Sequence, residues 1–286
     1  MKYNYLTLEA INRFIDNALA EDVGEGDHSS LSSVPIDAIR KARLLVKEDC
    51  VLAGVELAQM IFHKVNPELK LSILISDGIE VSKGNIAFVV EGKAQSILTA
   101  ERLVLNCMQR MSAIATQTHK AVKALVGTKT KLLDTRKTTP NFRLLEKWAV
   151  KIGGGENHRF GLFDMIMLKD NHIDYAGGIT KAIKAAHSYR EKIGKNLAIE
   201  VETRNLEEVK EVIAIGGIDV IMLDNMDLVS MKTAVNLING RYKTEASGGL
   251  LLADLPSVAA CGVDFISMGA LTHSAKAIDL SLKAFE

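Results

Sequence analysis

Two rhythms of apolar residues divide the chain. In the first part, short apolar runs at Ala42 to Glu48, Leu69 to Ser76 and Ile86 to Glu91 are bounded by Asp-Gly, Lys-Gly and Glu-Gly pairs, the pattern of strands closed by turns. Helices are predicted from Thr7 to Ala20 and from Gly54 to Val65. The acidic stretch Glu21 to Asp27 between them lacks the spacing of a calcium loop and reads as an exposed turn. Thr99 is placed to cap a long helix through Ala100, Leu103, Leu105 and Met108 toward Val126, with Gly127 as its stop. Arg102 then falls in that helix's first turn, where the dipole disfavours a cation unless an anion is near.

After Gly127 the rhythm changes to short, nearly all-apolar strands alternating with amphipathic helices, the mark of a parallel sheet buried on both faces. Strands are predicted at Lys131 to Asp134, Met165 to Lys169, Leu197 to Glu202, Asp219 to Asp224, Lys243 to Ala246 and Asp264 to Ser267. Helices are predicted at Arg143 to Ile152, Ile179 to Lys192, Leu206 to Ile215, Leu228 to Ile238 and Leu255 to Cys261. A short extra strand near Glu156 makes seven. Repeated βα units of this size point to an α/β fold of the TIM-like barrel type rather than an open nucleotide-binding sheet, and neither a G-x-G-x-x-G turn nor a Walker lysine motif is present.

Almost every predicted strand ends in a polar residue: Arg136 and Lys137, Lys169, Glu202, Asp224, Ser247, Ser267. In a parallel barrel those ends share the face that carries the chemistry. Asp170, Asn205 and Asp227 are read instead as caps of the following helices. That explanation fails for arginine and lysine, because a cation at a helix N-terminus opposes the dipole.

Composition sharpens this. The 286 residues are 48% hydrophobic and carry 35 Lys+Arg against 35 Asp+Glu, so no overall basic field points to nucleic acid or a membrane surface. The opening Met-Lys-Tyr-Asn-Tyr leads into a polar amphipathic stretch rather than a signal peptide's core, and a cytoplasmic protein is expected. Cys50, Cys107 and Cys261 stand far apart in apolar surroundings and read as reduced, buried thiols. Positive charge is concentrated locally, at Arg136, Lys137, His158, Arg159 and Lys169, which marks an anion site. His119, His187 and His273 lack metal-ligand spacing, and with His28 and His172 they read as structural or polar-network histidines.

Three subsites follow from residue type. The turns Glu245 to Gly249 and Ser267 to Ala270 offer backbone N–H groups and hydroxyls to a phosphate. Glu202 and Asp224 can ligate Mg²⁺, bind ribose hydroxyls or face a developing sugar cation. The arginines can fork onto the carboxylates of a planar acid.

The chain resembles the quinolinate phosphoribosyltransferase family over nearly its whole length. The segments that carry the resemblance are Ala100-Glu101-Arg102 with Leu105-Asn106, Asp134 to Thr138, Gly153 to Arg159, Met167 to His172, Glu200 to Glu202, Met222 to Asn225, Glu245 to Gly249 and Ser267 to Gly269. The resemblance implies an α+β N-terminal domain (1–115, rejoined by a C-terminal helix, 272–286) and an incomplete, seven-stranded TIM-like α/β barrel (116–271). It also implies a homodimer in which Arg102 of one subunit completes the other's site.

The implied reaction transfers the phosphoribosyl group of phosphoribosyl pyrophosphate to quinolinate, yielding nicotinate mononucleotide, pyrophosphate and CO₂ in de novo NAD biosynthesis. By the same resemblance, Arg136, His158, Arg159 and the partner's Arg102 meet quinolinate, with Thr135 beside them. Lys137 and Lys169 face the phosphoribosyl pyrophosphate and the substrate carboxylate. Glu202 and Asp224 hold the ribose side and Mg²⁺. Ser247, Gly248, Gly249, Ser267 and Gly269 hold the 5′-phosphate. Alternation puts Glu200 and Glu202 on the same face of one strand, and the family spacing favours Glu202. Catalytic roles are expected for Lys137, Lys169, Glu202 and Asp224. Two other readings stay open: a related transferase for a different pyridine acid, and a non-catalytic phosphosugar-binding regulator.

Overall fold

The computed structural model describes residues 4–285, so the reading of the first three residues and of Glu286 lies outside it. The elements begin with α1 (Leu8–Val23), α2 (His28–Ser33), β1 (Ile39–Val46), β2 (Cys50–Val51), α3 (Val55–Val65), β3 (Lys70–Ile73), β4 (Glu80–Val81), β5 (Ile86–Lys93) and α4 (Ala94–Ala124). There follow β6 (Lys131–Leu133), α5 (Arg143–Ile152), β7 (Ile166–Leu168), α6 (Asp170–Ala176), α7 (Ile179–Ile193), β8 (Ile199–Thr203), α8 (Leu206–Ile215) and β9 (Val220–Asp224). The chain closes with α9 (Leu228–Ile238), β10 (Lys243–Ser247), α10 (Leu255–Ala260), β11 (Phe265–Ser267), α11 (Ala270–His273) and β12 (Leu280–Phe285).

The chain forms two compact units, one of residues 1–119, 138–154 and 270–286, the other of 120–137 and 155–269. This division differs from the expected 1–115 with 272–286 against 116–271 chiefly in that the segment 138–154, which carries α5, belongs to the first unit. A buried ion pair fixes α5 there: Glu146, fully buried, accepts from Arg110 Nε and Nη2 on α4 at 3.0 and 2.8 Å, and from the Thr139 hydroxyl at 2.9 Å.

The first unit's main sheet is antiparallel, in the order β12-β1-β5-β3, with β2 and β4 forming a separate pair. Ala42, Leu44 and Val46 of β1 are buried on one face, the two-residue period of a half-buried strand. Two expectations are corrected here. The C-terminal segment is not a helix: after α11 it runs as β12, antiparallel to β1 with Leu44 opposite Leu282, and Leu280 and Leu282 alternate inward as a strand requires. Nor does Thr99 cap α4. That helix starts at Ala94, where Ala94, Ile97 and Ala100 are buried at helical spacing, and the Thr99 hydroxyl bonds back to the Gln95 carbonyl at 2.9 Å. Arg102 is therefore exposed about two turns inside the helix, and the dipole argument for its charge lapses.

The second unit is built on a six-stranded parallel sheet, β6-β11-β10-β9-β8-β7, with Glu156 bridged in parallel to Leu133 beside β6. The six strands fall where the sequence pattern placed them, within two residues at each end. Its helices start as the side chains dictate: Asn205 accepts from the Glu208 N–H at 3.0 Å and Asp227 from Ser230 at 3.0 Å. Asp170 does not cap. Lys169 occupies that position before the unforeseen helix α6, and its N–H donates to His172 Nδ1 at 3.0 Å, which gives His172 a structural task. All three cysteines are free and buried, and burial pushes the Cys107 thiol up to about 12. No helix among the described residues is long and apolar enough to cross a membrane.

Candidate active site

The parallel sheet sets the geometry of the site. Register places Glu202 opposite Met222 on β9, and Asp224 opposite Ser247 on β10, so the last residues of these strands emerge at one edge. There the Lys169 ammonium lies 2.8 Å from Glu202 Oε2, an ion pair between the residue after β7 and a carboxylate on β8 that is 7% exposed. Asp224 accepts from the Asn225 amide at 2.7 Å through Oδ2. Burial holds the Asp224 carboxyl above its ordinary range, with Glu202 pushing the same way and the Asn225 bond and Lys169 opposing. Each of these bonds uses one oxygen of a carboxylate. Two hard oxygen donors with no nitrogen or sulfur ligand fit Mg²⁺, which is typically held by one or two carboxylates together with water and phosphate.

The turn beyond β10 is fitted closely against the turn beyond β9. Asn225 takes a left-handed backbone conformation (φ 52°) and its N–H donates to the Ser247 carbonyl at 2.9 Å. Gly248 has φ 105°, and a Cβ there would lie 2.8 Å from the Asn225 backbone nitrogen and run into the Asn225 side chain. Only glycine permits this approach. Ser267 ends β11, 5% exposed, and the next N–H, that of Met268, bonds to Leu133 at 3.0 Å, which ties β11 to β6.

The cationic group sits on two loops that share an anchor. Asp134, fully buried at the end of β6, accepts from the His158 N–H at 2.8 Å and the Asn157 amide at 2.6 Å. The chain leaving β6 through Thr135, Arg136 and Lys137 is thereby held beside the segment 157–159. Asp164 fixes the far side by accepting from the Phe160 and Gly161 N–H groups at 2.6 and 2.9 Å. Arg159 also donates to the Met165 carbonyl at 3.3 Å. Burial, then repulsion from Arg136, lowers the Arg159 pKa, while Glu200 and Asp164 oppose. Two guanidiniums that repel each other at one spot are the charge pattern of an anion site.

His158 is not an open cation. Its Nε2 faces Glu200 Oε2 at 3.0 Å and Glu245 Oε2 at 3.3 Å, its side chain is 7% exposed, and Nδ1 accepts the Arg159 N–H at 2.6 Å. Burial opposes charge on the ring, yet the hydrogen bonds to the two carboxylates outweigh it and push its pKa up to about 10. The Arg159 amide, by contrast, needs a bare Nδ1. That short bond decides for the tautomer whose one ring proton sits on Nε2, between the carboxylates. The three side chains also have a spacing compatible with a metal.

Glu200 and Glu245 were not singled out as functional from sequence, and Asp134 and Asn225 served there only as parts of motifs. Alternation along β8 put Glu200 on the face of Glu202; nothing in the sequence paired Glu245 with either. In the structure Glu200, Glu245, His158, Lys131, Leu133 and Met165 line one cavity of about 280 Å³. Glu200 lies two residues before Glu202, about 7 Å deeper along the strand.

Models of the quinolinate phosphoribosyl transferase N-terminal and C-terminal domains match residues 27–112 and 114–283. The chain is 49% identical over 284 residues to quinolinate phosphoribosyltransferase (decarboxylating) 1b of Nicotiana tabacum, covering 94% of this chain and 81% of that one. It is 49% identical over 281 residues to the chloroplastic nicotinate-nucleotide pyrophosphorylase (carboxylating) of Arabidopsis thaliana, covering 93% and 80%. Among solved structures, NadC from Streptococcus pyogenes superposes with a TM-score of 0.91 at 40% identity, over 98% of this chain and 99% of that one. The nicotinate-nucleotide pyrophosphorylase from Ehrlichia chaffeensis gives 0.89 at 35% identity over the full length of both. The chain belongs to the quinolinate phosphoribosyltransferase family.

Proposed function

We propose that this protein transfers the phosphoribosyl group of phosphoribosyl pyrophosphate to quinolinate with loss of CO₂, releasing pyrophosphate and nicotinate mononucleotide for NAD biosynthesis. The observation that carries the reading is that one parallel sheet bears both an arginine pair, on the loops after β6 and after Glu156, and a lysine–carboxylate pair, at the ends of β7 and β8, an acid site and a sugar-phosphate site. Membership of the family supports the same reaction.

The pyridine nitrogen donates its lone pair to C1′ while the C1′–O bond breaks and its electrons leave with pyrophosphate. Arg136 and Arg159 hold the ring carboxylates and so orient that nitrogen, each charge-assisted bond contributing roughly 1.5–3 kcal/mol. Glu202 and Asp224 face the sugar carbon, where negative charge stabilises a cation that develops only in the transition state. The same two carboxylates would hold Mg²⁺, which when bound supplies charge neutralisation to the departing pyrophosphate. Lys169 adds positive charge beside them, and Lys137 is assigned to the phosphate side. The pyridinium then accepts the electron pair left at the adjacent ring carbon as CO₂ departs, and a proton adds there.

In this reading Ser247, Gly248, Gly249, Ser267 and Gly269 cradle the 5′-phosphate. Gly248→Ala should raise KM for phosphoribosyl pyrophosphate at least about tenfold while leaving quinolinate affinity near wild type, since a Cβ displaces Asn225 and the turn together. Steady-state kinetics with each substrate varied checks it. The reading also includes closure of the parallel sheet into an incomplete barrel, supported by the Leu133–Glu156 bridge and by a cavity lined jointly by residues of β6 and by Met165, just before β7, at the sheet's opposite ends. A homodimer in which the partner subunit's Arg102 reaches the acid completes it.

Incubation with quinolinate, phosphoribosyl pyrophosphate and Mg²⁺ should yield CO₂ and nicotinate mononucleotide in equal amounts. Turnover of another pyridine carboxylate in preference to quinolinate would assign a different acid, and binding without pyrophosphate release would refute catalysis.

A further inference from the structure

We infer that Glu200 and Glu245 are positioning residues for the acid subsite: through His158 they set the direction of Arg159, so that strand β8 serves both substrates, Glu202 at its end and Glu200 one layer beneath. The inference rests on the functional reading above.

Both carboxylates are essentially inaccessible, at 0 and 1% exposure, and the Oε1 atom of each has no hydrogen-bond partner. Burying two such groups side by side is unfavourable, and a structural core would not need them. What they face is the Nε2 edge of His158, at 3.0 and 3.3 Å. They thereby orient a ring whose other nitrogen receives the N–H of the next residue, Arg159. Asp134 holds the backbone of His158 itself at 2.8 Å, so the turn from which the Arg159 side chain springs is pinned at consecutive peptide groups. Without the carboxylates the ring can rotate, the Arg159 amide loses its acceptor, and the arginine fork loses its aim. A displacement of about 1 Å at a substrate-orienting group is enough to matter.

The test measures calorimetric Kd values for quinolinate and for phosphoribosyl pyrophosphate in wild type, Glu245→Leu and Glu245→Gln. Leucine removes the acceptor at similar volume; glutamine keeps one. Glu245→Leu should weaken quinolinate about tenfold or more and change phosphoribosyl pyrophosphate by less than about twofold, with glutamine recovering most of the loss. Unchanged quinolinate affinity, parallel weakening of both ligands, or a glutamine variant as poor as leucine would each overturn the inference. If the leucine variant does not fold, His158→Asn breaks the same contact from the other side and must show the same split. If the wild-type protein binds no quinolinate, the functional reading fails. The Arg159 amide resonance then judges the positioning alone: it should move in Glu245→Leu and less in Glu245→Gln, and a resonance fixed in Glu245→Leu counts against it.

Discussion

In the Arg159→Ala variant, quinolinate affinity should fall by about 10²- to 10⁴-fold, the loss of one or two charge-assisted hydrogen bonds to a carboxylate. The fold should stay intact. Arg159 bears a charge that burial and Arg136 already disfavour, so its removal relieves repulsion as well as deleting attraction, and melting temperature should change little. The relief also strengthens Arg136 as a remaining anchor, which places the expected loss toward the lower end of the range. Calorimetry with quinolinate alone, alongside a thermal melt, separates the two effects. Near wild-type affinity in a folded Arg159→Ala protein would remove this arginine from the acid subsite.

The second large effect belongs to Glu202. Replacing it with glutamine keeps the shape of β8 but removes the charge that pairs with Lys169 and faces the sugar. kcat should drop by about 10²- to 10³-fold, the scale seen when one preorganised electrostatic group is deleted from a transition state. Quinolinate affinity should hold, because Glu202 belongs to the other subsite. Stability should hold too: the Lys169 side chain is 44% exposed, and a pair with one solvated partner adds little to folding. A rate within about threefold of wild type would exclude Glu202 from the reaction. Read together, the two variants should show opposite signatures, one in binding and one in turnover.

The strand and helix pattern of the second unit could be read directly because each short apolar run is flanked by its own cap or turn, as at Asn205 before α8 and Asp227 before α9. The strand-end residues followed from the same rhythm. Two misreadings in the first unit have a common cause. Ala94-Gln95-Ser96 carries no helix-start signal, since the strand β5 feeds α4 without a turn, and Thr99 offered a cap that the chain did not need. The last segment mixes Leu280, Leu282 and Ala284 with polar neighbours in a run too short to distinguish a strand from a helix turn without its partner β1. Glu200 and Glu245 escaped notice for a different reason. Their role depends on two strands and a loop converging on one imidazole, and that convergence is a property of the folded chain rather than of any local spacing.

The late arrival of β12 in the chain has a consequence for assembly. β1 gains its outer neighbour only when residues 280–285 have been made, and by then every strand of the parallel sheet has already been synthesised. Until that moment Leu44 lacks its partner Leu282, and the hydrogen-bonding rim of β1 is open to any passing strand. The early-synthesised half of the molecule is thus the last to be sealed, and nascent chains stalled short of residue 280 will be the ones that seek chaperones or stick to one another.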